Sequence, residues 1–123
     1  MAKVLVLDVN NQKIYEAECV ELEDFYKHLD SGCFDIVNRE IGGVRYDIFC
    51  DDVGLFREDP IVSAVDRDTY APRLVGNLVF ANHDDQGETT SLSNDDVIRI
   101  LSQITHGIDP RDGSVKMAVK VRY

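Results

Sequence analysis

The stretch that most constrains the fold is Ile41 to Arg57, Ile-Gly-Gly-Val-Arg-Tyr-Asp-Ile-Phe-Cys-Asp-Asp-Val-Gly-Leu-Phe-Arg. Gly42-Gly43 suits a tight turn, because glycine enters the left-handed backbone region without a steric penalty. From Val44 onward the chain reads as a strand. Val44, Tyr46, Ile48 and Cys50 fall on one face, and Arg45, Asp47 and Phe49 on the other. Neither face is purely polar, which predicts an inner strand rather than a sheet edge. An acidic, glycine-bearing loop from Asp51 to Pro60 then delivers Phe56 and Arg57, since Pro60 and its neighbours oppose continued pairing.

The flanking segments fit around that strand. Lys3 to Val9 is a nearly continuous apolar run, the pattern of a strand covered on both faces. Asn10-Asn11 is predicted to turn it into a returning strand over Gln12 to Glu18. Leu22, Phe25, Tyr26 and Leu29 share one helical face, so a short helix is predicted over Leu22 to Leu29, with Gly32 as its stop. Cys33 to Glu40 reads as the strand that Gly42-Gly43 joins to the next. Ile61 to Val65 is a short strand, and Asp66 to Pro72 a polar excursion. Leu74 to Ala81 reads as one strand with Gly76 marking a bulge or a close backbone approach.

Asn82 to Thr90 is polar loop. Ser93-Asn94-Asp95-Asp96 opens a second helix, with Ser93 as N-cap and Val97, Ile100, Leu101 and Ile104 as its buried stripe. Gly107 to Gly113 is a turn. From Ser114 to Tyr123, Val115, Met117, Val119 and Val121 alternate with Lys116, Ala118, Lys120 and Arg122, a half-exposed strand. The fold class predicted is α+β: an antiparallel or mixed sheet with two helices packed against it, in one domain of 123 residues.

Charge and cysteine usage narrow the function classes. The net charge of −10 opposes binding DNA or RNA along a broad basic face. A small anion in a pocket is compatible with it, because a few converging arginines dominate locally. Cys19, Cys33 and Cys50 are odd in number and widely spaced, so they read as small buried hydrophobes rather than a disulfide framework. No apolar run approaches the ~20 residues of a membrane helix, and Asp8 interrupts the N-terminal run, so a cytosolic protein is expected.

Catalytic and metal signatures are sparse. His28, His83 and His106 are dispersed, which predicts no metal site. Asp51-Asp52 suits a solvated turn as well as acid–base work. No Walker loop or Gly-x-Gly-x-x-Gly is present, and no cofactor is expected. Phosphate binding has more to recommend it: Gly42-Gly43 and Gly54 lie beside Arg39, Arg45 and Arg57. Glycine turns expose N–H groups to anions, and arginine's planar fork matches phosphate oxygens. Phe56 suits base stacking or the core, and Arg57 a pocket or solvent. Phe80 and Asn82 share a face by parity, opposite to Asn77, and asparagine can meet an adenine edge. Arg111, in the turn before the last strand, is either a solvent residue or reaches a pocket at a subunit boundary.

Three motifs together carry a resemblance. They are Asp35-Ile-Val-Asn-Arg-Glu-Ile-Gly-Gly, Tyr46-Asp-Ile-Phe-Cys-Asp-Asp-Val-Gly-Leu-Phe and Leu74-Val-Gly-Asn-Leu. With the chain length and the order of elements, they resemble the phage Thoeris anti-defence proteins of the first type. The resemblance implies a sponge rather than an enzyme. Such proteins bind cyclic ADP-ribose isomers (glycocyclic ADP-ribose) made by bacterial TIR-domain proteins and hold them uncleaved. Some also hold cyclic trinucleotides at separate sites, in a hexamer built as three dimers, so a homo-oligomer in the host cytoplasm is expected. The implied ligand-binding residues are Phe56, Arg57, Phe80 and Asn82, then Arg111, with Asn38, Arg39, Gly42 and Gly43 from the first motif. Two alternatives stay open: a cyclic-nucleotide hydrolase using Asp51, Asp52 or His83, and an acidic inhibitor that binds a host protein.

Overall fold

The structure, a computed structural model, describes residues 2–30, 34–51 and 60–122. Strand β1 (Ala2–Asp8) pairs antiparallel with β2 (Lys13–Cys19). Helix α1 (Leu22–Leu29) follows, then the hairpin of β3 (Phe34–Ile41) and β4 (Val44–Asp51). Next come β5 (Val62–Asp66), β6 (Pro72–Val75), β7 (Leu78–His83) and the short β8 (Thr89–Thr90). Helix α2 (Asn94–Leu101), β9 (Ile104–Ile108) and β10 (Val115–Val121) complete the chain.

Among the described residues these strands form two sheets. One runs β2-β1-β7-β4-β3, with β8 appended to β7; the other runs β6-β5-β10-β9. The β5–β10 pair is parallel and the remaining pairs are antiparallel, so the α+β class with a mixed sheet is what the chain adopts. The first sheet is covered on both faces. Val4, Val6, Phe49 and Val79 pack with Phe25 and Leu29 of α1. Leu5, Leu7, Ile48 and Phe80 point the other way, toward Val97 and Ile100 of α2 and Val119 and Val121 of β10. The continuous apolar run of β1 follows directly from this two-sided burial. β4, flanked by β3 and β7, is the inner strand that its two mixed faces imply.

Local signals explain the element ends. Gly42 and Gly43 both take positive φ (62° and 91°), which closes the two-residue turn between β3 and β4. Ser93 caps α2, its hydroxyl accepting from the Asp96 backbone N–H while the Asp96 carboxylate accepts from the Ser93 N–H.

Several expectations are corrected. The run Leu74 to Ala81 is two strands in different sheets: Gly76, at φ 80°, is the corner, and its N–H donates to the Ile61 carbonyl at 2.8 Å. A strand pattern cannot distinguish a bulge from a change of sheet, because both need a glycine that breaks the pleat. Between β1 and β2 the residue with positive φ is Gln12, not Asn10 or Asn11, and Asp8 holds the loop through the Asn11 N–H and amide.

Helix α1 closes on Asp30 in the left-handed conformation, while Gly32 lies outside the described residues. Helix α2 stops at Leu101, which is exposed, and Ile104 belongs to β9. That strand contains Gly107, which had read as turn. β6 begins at Pro72 on a sheet edge, where the missing N–H costs nothing. β7 runs on to His83. Most of the Asp51 to Pro60 loop, with Phe56 and Arg57, lies outside the described residues.

Candidate functional site

The outer side of the β6-β5-β10-β9 sheet carries a groove of about 560 Å³. Thr105 pairs with Ala118 and Gly107 with Lys116, so these four share one face, opposite to the paired Ile104 and Val119 that pack in the core. A methyl at Ala118 and no side chain at Gly107 leave the sheet surface low over β10, between β5 and the turn beyond β9. Pro60, Ile61 and Val62 close one side of the groove, and the turn that carries Asp109 to Arg111 closes another. Its size falls within the ~300–1,000 Å³ that small-molecule sites occupy.

The groove's charged groups are tied in pairs. Arg111 donates through Nε to Asp109 Oδ1 at 3.2 Å and through Nη2 to Oδ2 at 3.0 Å. The same Nη2 donates to the Pro60 carbonyl at 2.9 Å, which links the 109–111 turn to the opposite side of the groove. The Asp109 carboxyl is held below the usual carboxylate range, first by the Arg111 guanidinium and then by the Arg111 backbone N–H. Lys116 lies 3.8 Å from Asp112, and His106 is exposed on β9. The arrangement offers an apolar floor with cationic groups at its margin, suited to a ligand that joins a flat apolar body to an anionic group.

Two polar networks lie elsewhere. On the core-facing side of the first sheet, Tyr46 donates to Asp96 Oδ1 at 2.7 Å, and Arg99 Nη1 donates to the Tyr46 hydroxyl at 2.7 Å and to Asp96 Oδ1 at 3.0 Å. Burial pushes the Asp96 carboxyl up, but hydrogen bonds from Ser93, Tyr46 and Asn82 outweigh it and bring it to about 2. On the other face, Asp47 Oδ2 lies 2.7 Å from His83 Nδ1, while Oδ1 accepts from Asn38 at 2.9 Å. Arg45 folds onto the Asn38 side-chain oxygen at 2.6 Å.

The residues singled out from the sequence separate into different places. Arg111 borders the groove. Phe80 is 0% exposed inside the core, which corrects its assignment as a base-stacking ring. Asn82 shares its face as parity implied, but its amide donates to Asp96 at 3.2 Å and anchors α2. Asn38 and Arg39 sit on edge strand β3, where the Arg39 guanidinium donates to the Asn38 carbonyl at 2.8 Å. Gly42 packs on Arg99, so that a Cβ there would stand 2.8 Å from Arg99 Cγ. Arg39 and Arg45 do meet, both guanidiniums donating to the Asn38 carbonyl at 2.8 and 3.1 Å, whereas Gly42 packs on Arg99 rather than on either of them. Tyr70, Thr105 and Lys116 line the groove without having been named as site residues, and His106, weighed only as a metal ligand, borders it. The strict alternation of the last strand was the available signal, since it puts Lys116 and Ala118 on the face away from the core.

Among the described residues no group of three or more His, Cys, Asp or Glu side chains is placed to hold a metal ion, and no helix is long and apolar enough to cross a membrane. Cys19 and Cys50 are buried free thiols.

The fold and groove define a class: an α+β protein whose second sheet is open on its outer face as a ligand-sized trough. Residues 1–105 match the model of a family described as a domain of unknown function, DUF3846, and the chain belongs to that family. The match ends within β9, so the 109–111 turn and β10 lie beyond it. No curated protein and no solved structure gives a significant match.

Proposed function

We propose that this protein binds a small nucleotide-like signal in the groove of its second sheet and sequesters it uncleaved. The observation that carries the reading is the 560 Å³ groove with Arg111 at its border, aligned by Asp109. A guanidinium held in place loses little freedom when it meets a phosphate, and binding to a preformed site favours slow release. Asp109, kept ionised by Arg111, is a poor proton donor and a weak base, which favours holding over hydrolysis. The resemblance of the Asp35, Tyr46 and Leu74 motifs to the first-type Thoeris anti-defence proteins points to glycocyclic ADP-ribose as the ligand, and to silencing of a bacterial immune effector as the consequence.

The test is calorimetric titration with glycocyclic ADP-ribose isomers, then chromatography of the ligand released by heat. Saturable binding with intact recovery is expected. Absence of binding to every isomer overturns the assignment.

One observation favours a second reading, hydrolysis of a cyclic nucleotide at His83. Asp47 orients the imidazole through Nδ1, as an orienting carboxylate does for a general base. That reading requires linearised product in the same chromatogram and its loss in His83→Ala.

A further inference from the structure

Tyr70 stands at the turn between β5 and β6 with φ 60°, the left-handed region that side chains other than glycine and asparagine rarely adopt. The turn around it is over-determined. Its N–H donates to the Asp66 carbonyl at 2.8 Å. The Asp66 carboxylate accepts from the N–H groups of Asp68 and Thr69 and from Arg73. Such a lattice of bonds can hold a strained residue in place.

What the strain secures is not packing, because Tyr70 is 57% exposed. Glycine or asparagine would satisfy this backbone at lower cost. The tyrosine lines the groove, together with Val65 of β5 and Thr105 of β9. An aromatic ring with two side-chain torsions offers a broad, flat contact surface at small entropic cost.

We infer that Tyr70 is the stacking platform of the groove, and that the ligand it serves is a planar heterocycle joined to a phosphate. The ring takes the heterocycle, and Lys116 on the groove face of β10 and Arg111 at the groove's border are placed to meet the anionic part. This rests on the groove being the binding site and adds the residue that holds the heterocyclic part of its ligand. The aromatic role expected of Phe56 or Phe80 passes to a turn residue beside the second sheet, whereas Phe80 lies in the first.

Fragment titration followed by amide chemical shifts tests it. Adenosine monophosphate and ribose 5-phosphate are added in turn, at millimolar concentration, to the full chain and to Tyr70→Phe, Tyr70→Asn and Tyr70→Gly. Adenosine monophosphate is expected to move the amides of Thr105, Gly107 and Ala118, with ribose 5-phosphate binding at least tenfold more weakly. Tyr70→Phe retains binding. Tyr70→Gly and Tyr70→Asn lose it while melting at the same temperature as the parent or higher, since both relieve the backbone. Equal binding of the two fragments, or unchanged affinity in Tyr70→Gly, overturns the stacking role and leaves the groove standing. Failure of both fragments to move any groove amide removes the groove reading and the platform with it.

Discussion

The Tyr46 hydroxyl donates to Asp96 at 2.7 Å across 50 positions of sequence, joining the inner strand β4 of the first sheet to the first turn of α2. Tyr46 is fully buried, and Arg99 donates to its oxygen from the next turn of the helix. Tyr46→Phe keeps the ring and removes both bonds, leaving Asp96 and Arg99 to pair without it. A hydrogen bond to a charged partner is worth about 1.5–3 kcal/mol. Urea denaturation should therefore show a loss of that order, with a lower midpoint and an unchanged slope. A midpoint equal to the parent's would mean that the bond contributes nothing net.

Acid should destabilise the protein partly through Asp96. Its carboxyl falls from 3.8 in the unfolded chain to about 2 in the fold, so the folded state favours the ionised form. The stability this supplies is complete above pH about 4 and is lost as the pH falls toward 2. Allowing for the solvent that reaches this carboxylate, the contribution is about 1–2 kcal/mol. Asp24, Asp66, Asp109 and Asp112 are lowered as well and titrate in the same direction. Asp96→Asn should therefore flatten the stability–pH curve between pH 4 and 2 without abolishing its slope. An unaltered curve would contradict the assignment.

The elements legible in the sequence are those whose pattern has one physical solution. A run apolar at every position from Val4 to Leu7 needs cover on both faces. The pair Gly42-Gly43 between two strand patterns has few uses other than a hairpin turn. Ser93 followed by aspartates just before an apolar helical stripe reads as a helix N-cap. The elements that escaped are decided by tertiary placement. Gly76 breaks a strand pattern identically whether the chain bulges or changes sheet. Gly107 weakens β9 as a pattern, yet pairing to Lys116 of β10 secures it. For the candidate groove, Arg111 was legible as a turn arginine near a strand, whereas Tyr70 lies in a polar excursion that only the fold brings beside β9 and β10. Phe80 misled because an aromatic in a strand reads the same whether it faces ligand or core.

Gly42 and Gly43 should respond unequally to alanine, although both occupy the left-handed region. At Gly43 a Cβ meets nothing within 4 Å, so Gly43→Ala carries only the backbone penalty of about 1 kcal/mol. At Gly42 the added methyl would sit 2.8 Å from Arg99 Cγ, and Arg99 is fixed by Tyr46 and Asp96. Gly42→Ala must displace it and lose part of that network, for a total of about 2–4 kcal/mol. Thermal denaturation of the two variants side by side reads the difference. Equal melting temperatures would show that Arg99 yields freely.

Phe80 and Arg111 should separate folding from binding. Phe80 lies in the core with Leu5, Ile48 and Ile100, so Phe80→Leu removes buried contacts and costs about 1–3 kcal/mol. It touches no part of the groove, and its affinity for a glycocyclic ADP-ribose isomer, measured by calorimetry where the protein is folded, should equal the parent's. Arg111→Ala does the reverse. It removes the fork that Asp109 aligns and leaves that carboxylate, 9% exposed, without its main partner. Affinity should fall at least about tenfold, or roughly 1.4 kcal/mol. Arg111→Lys restores the charge without the planar fork and should recover only part of the loss. If Arg111→Ala binds as tightly as the parent while Phe80→Leu binds weakly, the ligand enters between the sheets and the outer groove is not its site.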